Sequence, residues 1–217
     1  LLEYAFKNFK TFHLSYEYKS FKKISKIFKK KKKTNLILKL AEPSFNQKNF
    51  SKKRFLDKLK FYKQKLGNNK EITIQWMWRG NLSNEHERIT NFSKDSQKII
   101  RLFKSLKQRK IIKKIYIFPY TKSFLKTSIK HNIFDGICIY RNPIEKDYDE
   151  LLSKIQKKKF IAIRPFGGNL KLNKKHKLKY LLNYSINNKK ISKIILTCSK
   201  IKQIKEIVSY CNDKKKF

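Results

Sequence analysis

The sequence predicts an α/β fold in which short apolar strands alternate with amphipathic helices along the whole chain. β-branched and aromatic residues fill short runs, and apolar residues spaced three or four apart follow each run. Such strict repetition is typical of parallel strands covered by helices, either as an open doubly wound sheet or as a TIM barrel. No Gly-x-Gly-x-x-Gly follows a predicted strand, so a Rossmann-type dinucleotide site is not supported.

One βαβ unit, from 134 to 169, defines this repetition best. Its strands are predicted at 134–140 and 160–163, and the helix between them is about 10–12 residues long. Strands joined in this way must be parallel, and the crossover is expected to be right-handed. Functional side chains are then expected beyond the strand ends, at Tyr140-Arg141-Asn142 and at Arg164-Pro165-Phe166-Gly167-Gly168.

The other elements follow the same two periods. The remaining predicted strands are short apolar runs, at 11–15, 35–40, 71–78, 111–118 and 191–196. The remaining predicted helices each carry one apolar face, at 1–9, 50–66, 121–131, 174–186 and 199–210, with two more that end near Lys30 and begin near Ser93. In the last helix, we expect Ile201, Ile204 and Val208 to face inward. Seven strands result, each followed by a helix.

The charge of the chain is extreme. The 217 residues carry a formal net charge of +41, and 40% of them are apolar. This apolar content predicts a folded protein, and the length predicts one domain. The charge is typical of proteins that bind nucleic acid or an anionic membrane, but lysine is spread over nearly every segment, and richness in Asn, Ile, Phe and Tyr indicates AT-rich codons. No zinc-finger, RRM or KH motif is present, so we predict no specific nucleic-acid partner. We interpret the run at 29–33 as a solvated helix end rather than a localisation signal or phosphate-binding patch.

The cysteines and the hydropathy pattern indicate a cytoplasmic protein. Cys138, Cys198 and Cys211 show no Cys-x-x-Cys spacing and accompany only four scattered histidines, so neither a disulfide framework nor a metal site is predicted. No apolar run is long enough to span a membrane, and the N-terminal residues lack the regions of a signal peptide. The first residue is Leu, so we expect the chain to begin within a longer or truncated reading frame.

The strand ends at 140–142 and 164–168 carry a family resemblance. They resemble the aldo/keto reductase superfamily, in which a strand ending in Tyr-Asn is followed by a helix and by a strand ending in Arg-Pro-Leu with nearby glycines. The resemblance implies a TIM (β/α)8 barrel of which this chain contains strands two to eight, with residues 1–217 forming a single, N-terminally incomplete domain. It also implies NADPH-linked reduction of a small-molecule carbonyl compound.

The same resemblance assigns two catalytic residues. The family shows Asp-Thr-Ala-x-x-Tyr after its second strand, and the matching stretch here begins at His13 and ends at Tyr18. Tyr18 therefore stands at the position of the proton-donating tyrosine, His13 replaces the aspartate, and Lys39 matches the lysine of the third strand. A tyrosine with a pKa near ~10 is a poor acid at neutral pH unless a cation and a hydrogen-bond partner tune it. The histidine of the family falls on Met77 or Trp78, neither of which donates the same hydrogen bond.

The cofactor positions match less evenly. The family contacts the nicotinamide with polar or aromatic groups at positions that are here Phe118-Pro119, Ile137 and Ile163, and none keeps the required group. The dinucleotide phosphate end is better matched, because a helix that begins at Ser199 with two lysines beside it suits an anion. The predicted cofactor-binding residues are Arg164, Gly167, Gly168, Ser199, Lys200, Lys202 and Gln203. An ordinary capped amphipathic helix is the alternative.

Three hypotheses follow. The first is an aldo/keto-reductase-like enzyme that uses NADP. The second is a catalytically degenerate barrel that acts as a binding or interaction protein. The loss of the family's aspartate, histidine and nicotinamide contacts supports it. Because the imidazole of His13 cannot replace the carboxylate that pairs with the lysine, reduction is expected to be slow or absent even if Tyr18 and Lys39 are close. The third, a basic nucleic-acid-binding protein, depends on charge alone.

Overall fold

The computed structural model describes residues 1–31, 34–67, 71–168 and 177–214. The start of the helix predicted at 174 and the end of the lysine run predicted at 29–33 lie outside these residues. Seven strands occur among the described residues, at β1 (Thr11–Leu14), β2 (Asn35–Ala41), β3 (Glu71–Met77), β4 (Lys114–Phe118), β5 (Gly136–Tyr140), β6 (Lys159–Ile163) and β7 (Ile191–Ile195). The helices are α1 (Leu2–Asn8), α2 (Phe21–Lys30), α3 (Lys52–Leu66), α4 (Glu85–Gln108), α5 (Lys122–Ser128), α6 (Asp149–Lys154), α7 (Leu178–Ile186) and α8 (Ile201–Lys214).

The strands form one seven-stranded sheet in sequence order, β1-β2-β3-β4-β5-β6-β7. The registered pairs are parallel, and a helix follows every strand, which is the arrangement of the (β/α) barrel class. The predicted fold class is therefore confirmed. The single-domain organisation stays a prediction, since the chain divides into two compact units with a boundary inside β5.

The first unit comprises Thr11–Cys138 and is built around aromatic side chains. The ring of Trp76 stacks on that of Phe134 at a centroid distance of 5.5 Å, and Phe103 meets Trp76 edge-on at the same distance. Helix α3 buries Phe55, Leu59, Tyr62 and Leu66, as its spacing predicts.

One helix of this unit begins earlier than predicted. Helix α4 begins at Glu85, and Asn84 caps it by accepting a hydrogen bond from the backbone N–H of Glu87 at 3.1 Å. Glutamates in the first turn also complement the helix dipole. Ser93, which we expected near the N-terminus, lies inside the helix and donates its hydroxyl to the carbonyl of Ile89 at 2.9 Å. The polar segment before Ser93 concealed this first turn, because it carries few apolar residues.

The second unit comprises Leu1–Lys10 and Ile139–Phe217. Its described core includes a cluster in which Leu182 of α7 packs with Ile207 and Tyr210 of α8. The expectation for Ile201 is wrong, since this side chain is 43% exposed. Helix α8 begins at Ile201, two residues later than predicted, and its buried residues include the predicted Ile204 together with Ile207 and Tyr210.

No helix in the described ranges is long and apolar enough to cross a membrane. Over those same ranges, no group of three or more His, Cys, Asp or Glu side chains is placed to hold a metal ion.

Candidate functional site

Strand register brings three polar side chains of the first unit to one face of the sheet. His13 of β1 is paired with Ile37 of β2, and Lys39, two residues further along β2, is paired with Gln75 of β3. Side chains alternate along a strand, and paired residues of neighbouring strands point the same way. His13, Lys39 and Gln75 therefore share a face near the carboxyl ends of their strands, where function is expected in this class of fold.

Tyr18 lies next to this group. It follows β1, its ring is 41% exposed, and its hydroxyl is 3.4 Å from Nδ1 of His13. The ammonium of Lys39 lies over the Tyr18 ring, 5.6 Å from the centroid. The structure thus brings the two predicted catalytic residues together, with the lysine above the ring. The roles assigned to them stay a prediction.

His13 is held as a neutral imidazole. Burial lowers its pKa to about 4, an effect that a hydrogen bond with Gln75 opposes and the charge of Lys39 reinforces. Nε2 is 2.6 Å from Oε1 of Gln75, so the tautomer with hydrogen on Nε2 donates to that amide oxygen. Nδ1 is then free to accept the hydroxyl hydrogen of Tyr18.

The carboxylate beside Lys39 comes from Glu17. Oε2 of Glu17 is 2.8 Å from Nζ of Lys39, and Oε1 is 2.5 Å from a terminal nitrogen of Arg79. Partial burial alone would raise the pKa of Glu17, but hydrogen bonds from Lys39 and Arg79 outweigh it and hold the pKa below its usual value. The expectation that Lys39 lacks an anionic partner because His13 replaces the aspartate is therefore wrong.

Arg79 links this group to the end of β4. Its Nε donates to the hydroxyl of Tyr120 at 2.9 Å, and its guanidinium lies 4.8 Å from the ring centroid of Phe45. Burial raises the pKa of Tyr120, and the nearby cation of Arg79 offsets only part of that effect. The hydroxyl of Tyr120 also lies 3.5 Å from the sulfur of Met77. Arg79 and Tyr120 thus supply donors beside the position where the resemblance expects a histidine.

The residues at the predicted position of that histidine are buried. The side chain of Trp78 is fully buried, and its indole N–H has no hydrogen-bond partner among the described residues. Of the nicotinamide positions, Phe118 and Ile137 are buried apolar side chains in the first unit.

In the second unit, Arg164 sits in a constrained loop. Arg164, Gly167 and Gly168 all have positive φ angles, of 58°, 74° and 55°, and the N–H of Gly167 donates to the carbonyl of Arg164 at 2.9 Å. A positive φ is uncommon for a residue other than glycine. The buried amide of Asn142 donates to the same carbonyl at 2.9 Å, and Glu145 contacts the guanidinium at 3.2 Å.

The start of α8 is capped by the side chain of Gln203, which belongs to the same helix. Oε1 of Gln203 accepts hydrogen bonds from the backbone N–H groups of Ser199 and Lys200, at 2.8 and 3.0 Å. Lys202 is exposed beside them. This is a capped helix start whose N–H groups point to one acceptor, as the resemblance and the ordinary-helix alternative both imply. Over the described residues, no hydrogen bond or ion pair joins Ser199, Lys200 or Lys202 to Arg164.

Four polar residues near these groups were not predicted from the sequence: Glu17, Arg79, Tyr120 and Glu145. The sequence offered a signal for Glu17, because acidic residues are rare in this chain, which has only 15 Asp and Glu against 56 Lys and Arg. An acidic residue next to Tyr18 is conspicuous in such a composition. Arg79 and Tyr120 carry no comparable signal, since they come from separate strand ends.

No protein-family model matches the chain, and no curated protein matches it. Solved structures of aldo-keto reductases do resemble it. One from Bacillus halodurans in its apo form has a TM-score of 0.66 and 13% identity, covering 96% of this chain and 78% of that one. A putative one from Pseudomonas aeruginosa has a TM-score of 0.71 and 10% identity, covering 96% and 79%. One from Klebsiella pneumoniae, in complex with NADPH, has a TM-score of 0.68 and 10% identity, covering 97% and 78%.

At these identities the similarity shows the fold. The chain has the (β/α) barrel fold of aldo-keto reductases, and the resemblance inferred from the strand ends is confirmed at that level.

Proposed function

We propose that this protein is an NADPH-linked reductase of small carbonyl compounds, a divergent relative of the aldo-keto reductases in which Tyr18 is the proton donor. The observation that carries the proposal is the position of Lys39, which contacts the carboxylate of Glu17 at 2.8 Å and lies over the ring of Tyr18. A phenol beside an ammonium that a carboxylate holds in place is suited to donate a proton to a developing alkoxide.

Each residue of this group has a separate task. The ammonium of Lys39 stabilises the tyrosinate that forms when Tyr18 gives up its proton. The partly exposed carboxylate of Glu17 forms an ion pair with this ammonium and holds it in place. His13 accepts the hydroxyl hydrogen of Tyr18 at rest and, being neutral, adds no competing positive charge.

NADPH, when bound, supplies the hydride. In the second unit we assign its phosphates to Ser199, Lys200, Lys202 and Gln203 at the start of α8, and to Arg164 with Gly167 and Gly168. The fit is good in two respects. The backbone N–H groups of Ser199 and Lys200, which precede α8, converge on Oε1 of Gln203, where an anion would replace that oxygen, and Gly168 lacks the Cβ that would lie 3.3 Å from Nε of Arg164. The fit is poor at Phe118 and Ile137, which offer no polar side chain to a carboxamide.

That poor fit supports a second candidate function. A barrel that binds a nucleotide or another anion without transferring hydride needs Ser199 and Lys202 but not Tyr18.

We also propose that residues 1–217 form one domain, and that the protein works in the cytoplasm, where the free thiols of Cys138, Cys198 and Cys211 stay reduced.

The deciding experiment measures NADPH consumption by the full chain with a panel of small aldehydes, in comparison with Tyr18→Phe. We expect the variant to lose at least about 100-fold in kcat, the size of a general acid's contribution. Tyr180→Phe, at another exposed tyrosine, is the matched control and should keep full activity. Equal background rates in the native protein and in Tyr18→Phe, with NADPH still bound, would favour the second candidate over the reductase.

A further inference from the structure

The group around Tyr18 carries one more positive charge than negative charge. Lys39 and Arg79 are cations, and both make ion pairs with the single carboxylate of Glu17. His13 adds no charge at neutral pH, because its pKa is well below 7. Glu17 therefore compensates only one of the two cations, and about one unit of positive charge remains among these side chains.

Lys39 and Arg79 also have more N–H groups than their contacts with Glu17 and Tyr120 use. A guanidinium has five N–H groups, and those of Arg79 that have partners among the described residues donate to Tyr120 and to the two oxygens of Glu17. Lys39 has three N–H groups, and its side chain is 20% exposed. Both side chains thus have N–H groups left for an anionic ligand, and 8% of the Arg79 side chain is exposed to receive it.

Exposed rings border these cations. Phe45 is 59% exposed and lies over the guanidinium of Arg79, and the 41% exposed ring of Tyr18 lies beneath Lys39. Exposed rings next to cations offer a ligand both an apolar face and a positive charge. The combination suits a compound with a flat apolar body and one negative group.

We infer that this site selects carbonyl compounds that carry a carboxylate, and that Arg79 is the residue that binds this carboxylate. This inference rests on the proposed function and names its substrate class. A carboxylate has one negative charge, which matches the one uncompensated positive charge, and its two oxygens match the planar fork of a guanidinium. A phosphate, with nearly two negative charges, would leave the group with net negative charge.

The test compares 4-carboxybenzaldehyde with its methyl ester, methyl 4-formylbenzoate, which has the same ring and aldehyde but no charge. With the native protein, we expect kcat/KM for the acid to exceed that for the ester by about 10-fold or more, mainly through KM. In Arg79→Gln, KM for the acid should rise about 10-fold more than KM for the ester does, so the preference for the acid should be lost. Arg101→Gln, at an exposed arginine of α4, is the matched control and should leave both values unchanged.

Calorimetric binding of both compounds without NADPH separates this inference from the proposed function. If neither compound is reduced but the acid binds more tightly than the ester, and Arg79→Gln removes the difference, the role of Arg79 in binding a carboxylate stands and the reductase fails. If both are reduced with equal kcat/KM, the reductase stands and the selectivity for carboxylates is overturned. Equal binding without reduction overturns both.

Arg79→Lys guards against a variant that does not fold. It keeps the charge but loses the planar fork, so it should retain only part of the preference for the acid. If Arg79→Gln fails to fold, an undiminished preference in a folded Arg79→Lys would overturn the role of the guanidinium.

Discussion

The residues around Tyr18 and those around Ser199 are held in place in different ways. In the first group, contacts join distant parts of the chain: His13 with Gln75, and Glu17 with Arg79, are each 62 residues apart. In the second group, the described hydrogen bonds of Gln203 reach three and four residues back, to Lys200 and Ser199.

Because of this difference, substitutions in the first group should mainly change the stability of the protein, and those in the second group should mainly change its affinity for an anion. The first group is partly buried and charged, so changing one member leaves other charges without partners, which costs free energy of unfolding. The second group is exposed and local, so changing one member should alter the affinity for an anion and little else. Changes at His13, Glu17 and Lys202 should therefore affect stability in decreasing order.

The strongest pH dependence of stability should come from the partly buried imidazole of His13. The pKa of His13 is about 4 in the folded protein, against an ordinary value of 6.5 that the unfolded chain should show. Between these values the unfolded chain binds more protons, so the free energy of unfolding should fall as pH decreases from 6.5 to 4, by at most about 3 kcal/mol. Above pH 6.5 this loss is absent.

Urea unfolding at pH 7, 5 and 4 measures this dependence. His13→Gln cannot take up the proton, so it should lose less stability over the window than the native protein does. His86→Gln, at an exposed histidine, should behave like the native protein. The same pH dependence in His13→Gln and in the native chain would contradict the partly buried, neutral imidazole.

The next effect concerns the shared carboxylate. Glu17→Gln leaves Lys39 and Arg79 without their counter-charge, and we expect the free energy of unfolding at pH 7 to fall by about 2 kcal/mol, a value reduced by the partial exposure of Glu17. Glu71→Gln breaks an exposed ion pair with Lys113 in the same unit and should cost about 0–1 kcal/mol. Urea unfolding of both variants gives the comparison. If the two lose equal stability, the group around Tyr18 is no more tightly coupled than an ordinary surface pair.

The weakest effect on stability should come from the second group. Lys202→Glu should weaken NADPH binding about 10-fold through charge reversal beside the helix start, while the free energy of unfolding changes by no more than about 0.5 kcal/mol. Fluorescence titration with NADPH measures the affinity, and high salt should reduce the difference. Lys205→Glu, one turn further along α8, is the control. Unchanged affinity in Lys202→Glu would assign this lysine to the plain surface of the protein.

The elements and their order follow from the sequence alone. Alternating periods predicted seven strands and the helices after them, because side-chain direction in a strand or helix depends on local spacing. The same local logic placed Tyr18 and Lys39 near strand ends, and it anticipated the start of a helix beside Ser199. Where polar residues dominate, as before Ser93, the apolar periodicity disappears, and the predicted start of α4 was therefore wrong.

Which side chains meet depends on the tertiary structure. The family resemblance assigned the partner of Lys39 to position 13, but His13 contacts Gln75 and the lysine pairs with Glu17. Arg79 and Tyr120 join the group from the ends of two other strands. An ion pair forms where charged atoms come within a few ångströms, and that distance depends on how strands align and side chains turn, which spacing along one chain does not specify.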